Sequence, residues 1–277
     1  MLIFSILCRM PDLLTKLQEM FPDSSKETLR SMLRDGRVVI AGKAVKRANE
    51  VVAEDAVVEI LAKRRFYRDI PIHFEDRYLV VVEKPSGLLS VDTDDGKGPS
   101  LHSYLKEYKE GEVYPVHRLD REASGLLVFA YDRNTWEALK DALEERKVER
   151  TYLAIVEGAP SESQGTITNY LTAGETSLVG ETTPDRGKLA ITHYEALKYK
   201  RGFSLLKVTL ETGRKHQIRA HLSQTGTPIT GDERYGATQN PVNRLALHAT
   251  TLSFIHPHTG KRLSFNSPQP EFIKLFS

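Results

Sequence analysis

Cysteine is almost absent: Cys8 is the only one in 277 residues. An internal disulfide and a cysteine-rich zinc centre are therefore excluded, and the fold has to rest on packing. Long apolar runs are missing too. The best candidate, Leu2 to Cys8, is seven mostly apolar residues, whereas a membrane crossing needs about 20. With no basic residue before it and no small-residue cleavage site after it, this stretch reads as a terminal strand or loose end, not a secretory leader. No membrane association is expected, and a reducing cytoplasm is the expected location. Neither sign of charge dominates, since 39 Lys and Arg stand against 37 Asp and Glu. There is no internal repeat, no low-complexity tract and no glycine-rich dinucleotide fingerprint. What remains is 40% hydrophobic and 27% charged, with a mean hydropathy of −0.38. These values exclude a disordered or collagenous chain. The length fits one large domain, or a large one with a small attachment.

The charge is unevenly spread. Residues 1–68 hold thirteen Lys and Arg against nine Asp and Glu, so a basic head precedes a nearly neutral body. Ser24 and Glu27 have the spacing of a capping box, and Gly36 sits where a left-handed cap would end the helix. Between them a helix of about three turns is expected, with Leu29, Met32 and Leu33 on its buried stripe. Lys26, Arg30, Arg34 and Arg37 would line another face. Val38-Val39-Ile40, the turn Ala41-Gly42-Lys43 and Val57-Val58-Glu59-Ile60 then read as short strands. Taken alone, such a basic face is usually solvated surface. The ordered run resembles the S4 RNA-binding module, with Glu54-Asp55-Ala56-Val57 in place of the usual Gly-Asp-x-Val ending. That resemblance implies phosphate contacts that position RNA without reading its sequence. The expected organisation is an S4-like domain over residues 1–62, a basic linker over 63–70 and a catalytic domain over 71–277.

In the larger part, Tyr78–Val82 and Gly125–Ala130 are continuous apolar runs, as expected of buried central strands. Ser204–Glu211 alternates in the manner of a half-buried strand. Asn134 and Glu137 are placed to cap a helix with Trp136, Leu139 and Leu143 on one side. Strands outnumber helices, which points to α+β with a mixed, mainly antiparallel sheet. The most informative segment, His117-Arg118-Leu119-Asp120-Arg121-Glu122-Ala123-Ser124-Gly125, lies just before one of the buried strands. An acid there sits on a loop that a rigid strand positions. On spacing alone an Asp between arginines is more often a surface ion-pair cluster, and His117 more often a structural histidine. A hydrolase triad around Ser124 lacks the nucleophile elbow that chemistry uses.

His-Arg-Leu-Asp-x-x-x-Ser-Gly resembles the signature of the RluA-type pseudouridine synthases. Ile72–Leu89, Arg150–Gly158, Thr212–Leu222, Pro228–Gly236, Arg244–His248 and His256–Gly260 resemble further motifs of that family in the same order. Ala123 departs from the usual threonine. The resemblance implies isomerisation of uridine to pseudouridine in a structured RNA, with ribosomal large-subunit RNA as the expected target. The reaction needs no cofactor and no metal. His216 and His221 have no cysteine nearby to suggest a zinc site. By motif match, Asp120 is the essential carboxylate, Arg219 its ionic partner and Tyr152 the aromatic face on which the uracil stacks. His117, Ile218 and Leu245 are implied as pocket walls, and Arg118 as the group that fills the vacated RNA. A monomer is expected. The alternative class is a catalytically silent RNA-binding assembly factor on the same fold.

Overall fold

The computed structural model describes residues 12–22, 24–34, 36–53, 56–60, 70–93, 99–173 and 178–277. Cys8, the Glu54-Asp55 turn and residues 63–69 of the expected linker lie outside them. The chain divides into two units, Met1–Arg68 and Asp69–Ser277.

Among the described residues of the first unit the first element is a helix absent from the sequence expectations, α1 (Leu13–Met20), capped by Asp12, whose side chain accepts from the Thr15 amide at 2.8 Å. Helix α2 (Lys26–Arg34) follows. Its cap is Ser25, not Ser24: Ser25 Oγ accepts from the Thr28 amide at 3.1 Å. The end is as expected. Gly36 takes φ +65°, Arg37 N donates to Met32 O and Gly36 N to Leu33 O, which is the Schellman arrangement. Three strands, β1 (Val38–Ile40), β2 (Lys43–Ala44) and β3 (Val58–Ile60), form an antiparallel sheet in the order β2-β1-β3. Ala41 and Gly42 both have positive φ, as a tight hairpin turn requires. Leu13, Leu17, Leu29, Leu33, Val38 and Val52 make the core, each large aliphatic side chain contributing about 1.5 to 3 kcal/mol.

The second unit is built on one mixed sheet. Its strands are β4 (Ile72–Glu75), β5 (Leu79–Lys84), β6 (Tyr114–Pro115), β7 (Ser124–Ala130), β8 (Glu149–Glu157), β9 (Gln164–Ala173), β10 (Val179–Thr182), β11 (Lys188–Lys200), β12 (Phe203–Leu210), β13 (Leu247–Ile255) and β14 (Arg262–Asn266). The order is β10-β9-β11-β12-β8-β13-β7-β5-β4, with β14 on β13 and β6 on β7. Among the described strands only β7 and β13 pair in parallel. The described α-helices of the unit are α3 (Leu101–Lys109), α4 (Arg133–Glu144) and α5 (Gln217–Gln224), and two short 3-10 turns, Glu233–Tyr235 and Glu271–Phe276, lie beside them in the chain.

Strand β7 is buried along its whole length. Leu126, Val128 and Ala130 share a core with Leu79, Val81, Leu252 and Phe254, and Trp136, Leu139 and Leu143 of α4 pack on it. Phe129, on the alternate side of the strand, stacks on His102 of α3. The cap of α4 is Asp132, which accepts from the Thr135 amide at 2.9 Å, so Asn134 lies inside the helix and does not cap it. Both strand faces are therefore covered, and the loop entering β7 hangs from a fixed support.

Candidate active site

The loop carrying Asp120 is held by its backbone. Lys84, fully buried, donates through Nζ to the carbonyls of Pro85 (3.0 Å), Leu88 (2.7 Å) and Arg121 (3.1 Å). Burial pulls its pKa down to about 7, while three carbonyl acceptors favour the ammonium form. Ser90 Oγ donates to Leu119 O at 2.8 Å and accepts from Leu119 N at 3.0 Å. Gly87 N donates to Arg121 O at 2.8 Å. The Lys84–Ser90 segment thus clasps the residues on both sides of Asp120. Where the family resemblance led us to expect threonine, Ala123 closes the loop through its backbone, N to Asp120 O at 3.2 Å.

Beyond the loop, Gly125 pairs with Ala249 across the parallel ladder, and Ala249 pairs with Tyr152 on the other side. Two strand spacings of about 4.8 Å therefore separate the β7 entrance from the aromatic ring of β8. Gly125 has φ +114°, and a Cβ on it would stand 2.2 Å from Ala249 O. Only glycine allows that approach.

Helix α5 supplies the basic partner. Gln217 anchors it with four hydrogen bonds, accepting from Thr212 Oγ1 and Arg214 N and donating to Ile191 O and Thr192 Oγ1. Arg219, two residues further along the helix, meets Asp120 through Nη1 at 3.3 Å. Its stronger partner is Asp232: Nε and Nη2 reach the two carboxylate oxygens at 2.7 and 2.8 Å. The expected pair is thus one arm of a triad, in which a buried aspartate fixes the guanidinium in a bidentate fork. Burial works against the charge of Arg219, but Asp232 and then Asp120 hold it above the usual guanidinium range. Its guanidinium also lies over the Tyr235 ring, 5.0 Å from the centroid. Tyr235 OH accepts from Val179 N and shares a hydrogen bond with His216 Nδ1 at 2.9 Å. The other ring nitrogen of His216, Nε2, faces Asp120 Oδ1 at 3.8 Å. Burial, above all, lowers the His216 pKa, against the pull of Asp120.

Asp120, Arg219, Tyr152, Ile218, His117 and Arg118 all line one cavity of about 730 Å³, within the range of sites that enclose a small molecule. Leu245 is buried but does not line it; Leu247, two residues on, does. Tyr152 is 5% exposed, and burial first, with Asp120 adding to it, raises its pKa. It therefore stays a neutral phenol at ordinary pH. Seven lysines and arginines against three carboxylates border the space, an excess suited to a polyanion. Arg118 is exposed beside it. In the first unit, Lys26, Arg30 and Arg34 are exposed and Arg37 is half-buried; Arg34 pairs with Glu27 at 2.8 Å. Among the described residues no group of His, Cys, Asp and Glu is arranged to hold a metal ion, and no helix is long and apolar enough to cross a membrane.

The sequence expectations did not single out Asp232, Tyr235 or His216 as site residues. The first two lie in the Pro228–Gly236 segment, where an acid directly after a glycine was the available signal. Gly231, at φ +79°, turns the chain there, and a Cβ would stand 2.2 Å from Arg244 O.

A sequence profile described as RNA pseudouridylate synthase matches residues 78–224. An uncharacterized RNA pseudouridine synthase of Bacillus subtilis, YlyB, is 34% identical over 90% of this chain and 87% of its own. Ribosomal large subunit pseudouridine synthase D of Pseudomonas aeruginosa is 34% identical over 94% of this chain and 89% of its own. Among solved structures, human RNA pseudouridylate synthase domain containing 1 superimposes with a TM-score of 0.62 at 25% identity, covering 75% of this chain and 86% of that one.

Proposed function

This chain belongs to the RNA pseudouridylate synthase family, and from that premise we propose that it isomerises uridines of large-subunit ribosomal RNA to pseudouridine with Asp120 as the essential carboxylate. The observation that carries the proposal is the Asp120–Arg219–Asp232 triad at the cavity. The target RNA is inferred from the ribosomal synthase named above.

Isomerisation breaks the N1–C1′ bond, turns the uracil and joins C5 to C1′; the C5 proton leaves and N1 gains one. One ionised carboxylate serves this chemistry, by attack on C1′ or by removal of the C2′ proton. Asp120 is largely shielded from water, its side chain 17% exposed, and the cation beside it is Arg219, 3.3 Å away. Because Asp232 already holds two of its nitrogens, Nη1 reaches Asp120 with little freedom to swing, so the carboxylate is oriented without being locked in a tight pair. Tyr152 offers a flat neutral face on which a detached uracil stacks while it rotates. Ile218 and Leu247 supply apolar wall. A base inside a helix has to leave the stack to reach this cavity, and exposed Arg118 is placed to fill the gap. The first unit contributes an S4-like grip through Lys26, Arg30, Arg34 and Arg37. Each of these steps is assigned to groups of a single chain, and the proposal is of a monomer at work in the cytoplasm.

Nucleoside chromatography of ribosomal RNA incubated with the purified protein tests the reading. Pseudouridine without free uracil is expected. Free uracil would mean a glycosidase, and unaltered RNA that nonetheless binds would mean a silent assembly factor.

A further inference from the structure

Two residues that line the cavity each carry a buried hydrogen-bond donor with no acceptor among the described residues. Arg150 is 7% exposed, and its Nε has no hydrogen-bond partner. None of its guanidinium nitrogens donates to a described carboxylate or carbonyl. It stands two residues before Tyr152 on β8, so the two side chains leave the same face of the strand, and both line the cavity. Gly213 makes room for it, since a Cβ there would stand 2.8 Å from Nη1. The second donor is His117. Its Nε2 accepts from the Val128 amide at 3.4 Å, which puts the hydrogen of the neutral ring on Nδ1. That atom is buried and unpartnered as well. Burial first, and the charge of Arg150 next, keep the ring neutral, with a pKa of about 3.

A buried guanidinium without a counter-charge is expensive to keep, and orphaned donors of this kind call for an acceptor from outside. The cavity carboxylates are no substitute. Asp120 is bound to Arg219, Glu211 to Arg146 and His193, and Glu144 makes no ion pair with Arg150. The missing group must carry negative charge and offer several oxygens, one for a planar fork and one for a ring N–H. A uracil carbonyl has the oxygen but not the charge; an RNA phosphodiester has both.

We propose that Arg150 and His117 form a phosphate subsite inside the cavity, which holds a backbone phosphate of the nucleotide drawn in beside Asp120. The subsite rests on the reading of this chain as an RNA-modifying enzyme and adds to it what positions the strand: Arg150 gives the charge and the fork, and His117 a neutral donor that discriminates by geometry.

The test uses the full chain, wild type and with Arg150→Met, Arg150→Gln and Arg150→Lys, each checked for folding by thermal melting. Binding to a transcript of large-subunit ribosomal RNA is followed over a salt series, alongside KM and kcat. Removing one phosphate interaction should flatten the log-log salt slope by roughly 0.7 to 0.9 in the Met and Gln variants. KM should rise on the order of tenfold, an effect larger than the change in kcat, while Lys restores the slope but not the full KM. A slope equal to wild type in a folded Met or Gln variant overturns the subsite, and a raised KM at unchanged slope would assign the donors to a neutral acceptor such as uracil. If the wild type forms no pseudouridine yet the slopes differ as stated, the subsite stands and the reaction assignment falls. Pseudouridine formation with equal slopes gives the reverse.

Discussion

Asp232 does not line the cavity, yet it fixes the guanidinium that meets Asp120. It accepts both remaining hydrogen bonds from Arg219 and is almost wholly buried, its side chain 1% exposed. Asp232→Asn leaves a buried cation with half its compensation. A destabilisation of about 3 kcal/mol is expected, together with a fall in kcat larger than the rise in KM, because Arg219 would then be free to collapse onto Asp120. Chemical denaturation and single-turnover kinetics on the same preparation check both parts. A kcat equal to wild type would show that Arg219 needs no such support. Titration belongs to this scale as well. His221 and His248 are buried as neutral rings with pKa values pulled to about 4, chiefly by burial. Their stabilising contribution is complete above the unfolded value near 6.5 and is lost as pH falls through 4. Each costs up to about 3 kcal/mol by then. Urea midpoints should decline as pH falls below 6, and His248→Gln should make that decline shallower; equal declines would place the acid sensitivity elsewhere.

At the scale of elements, the strand-then-loop arrangement around Asp120 was legible because a continuous apolar run such as Leu126–Ala130 can only be central, and a motif at its edge has to be presented there. Tyr152 was legible through family resemblance, not through its pattern, which reads as core. What the local sequence did not reveal was pairing across distance. The contact of β7 with β13 joins residues 124 and 248, and no local periodicity encodes it. The same ladder explains why Leu247 and not Leu245 reaches the cavity: the chain enters β13 only at Leu247. The caps were displaced, from Ser24 to Ser25 and from Asn134 to Asp132, because adjacent polar residues compete for a cap and the helix start decides between them. Gly125→Ala tests the ladder. A methyl placed 2.2 Å from Ala249 O has to force β7 from β13, and a destabilisation of about 3 kcal/mol or more is expected, with activity abolished because the Asp120 loop hangs from that strand. A variant with wild-type melting temperature and rate would contradict the close approach.

For the whole molecule, the proposed reading assigns grip to the first unit and chemistry to the second. Every group assigned to the reaction lies in Asp69–Ser277, and the ridge of Lys26, Arg30, Arg34 and Arg37 lies in Met1–Arg68. Removing residues 1–68 should weaken binding to structured RNA and reduce the salt slope by roughly 0.7 to 0.9 for each phosphate that the ridge no longer neutralises. Turnover should recover at saturating RNA. An unchanged slope would leave the S4-like unit without this task.

The central claim is that Asp120, held by Arg219 and Asp232, isomerises uridine in ribosomal RNA. Site-resolved pseudouridine mapping of ribosomal RNA tests it most directly, in cells that lack the protein and are supplied with either the wild type or Asp120→Asn. The account predicts specific large-subunit sites that are restored by the wild type and remain uridine with Asp120→Asn, although the variant is folded and present at equal level. Restoration of those sites by Asp120→Asn would contradict it.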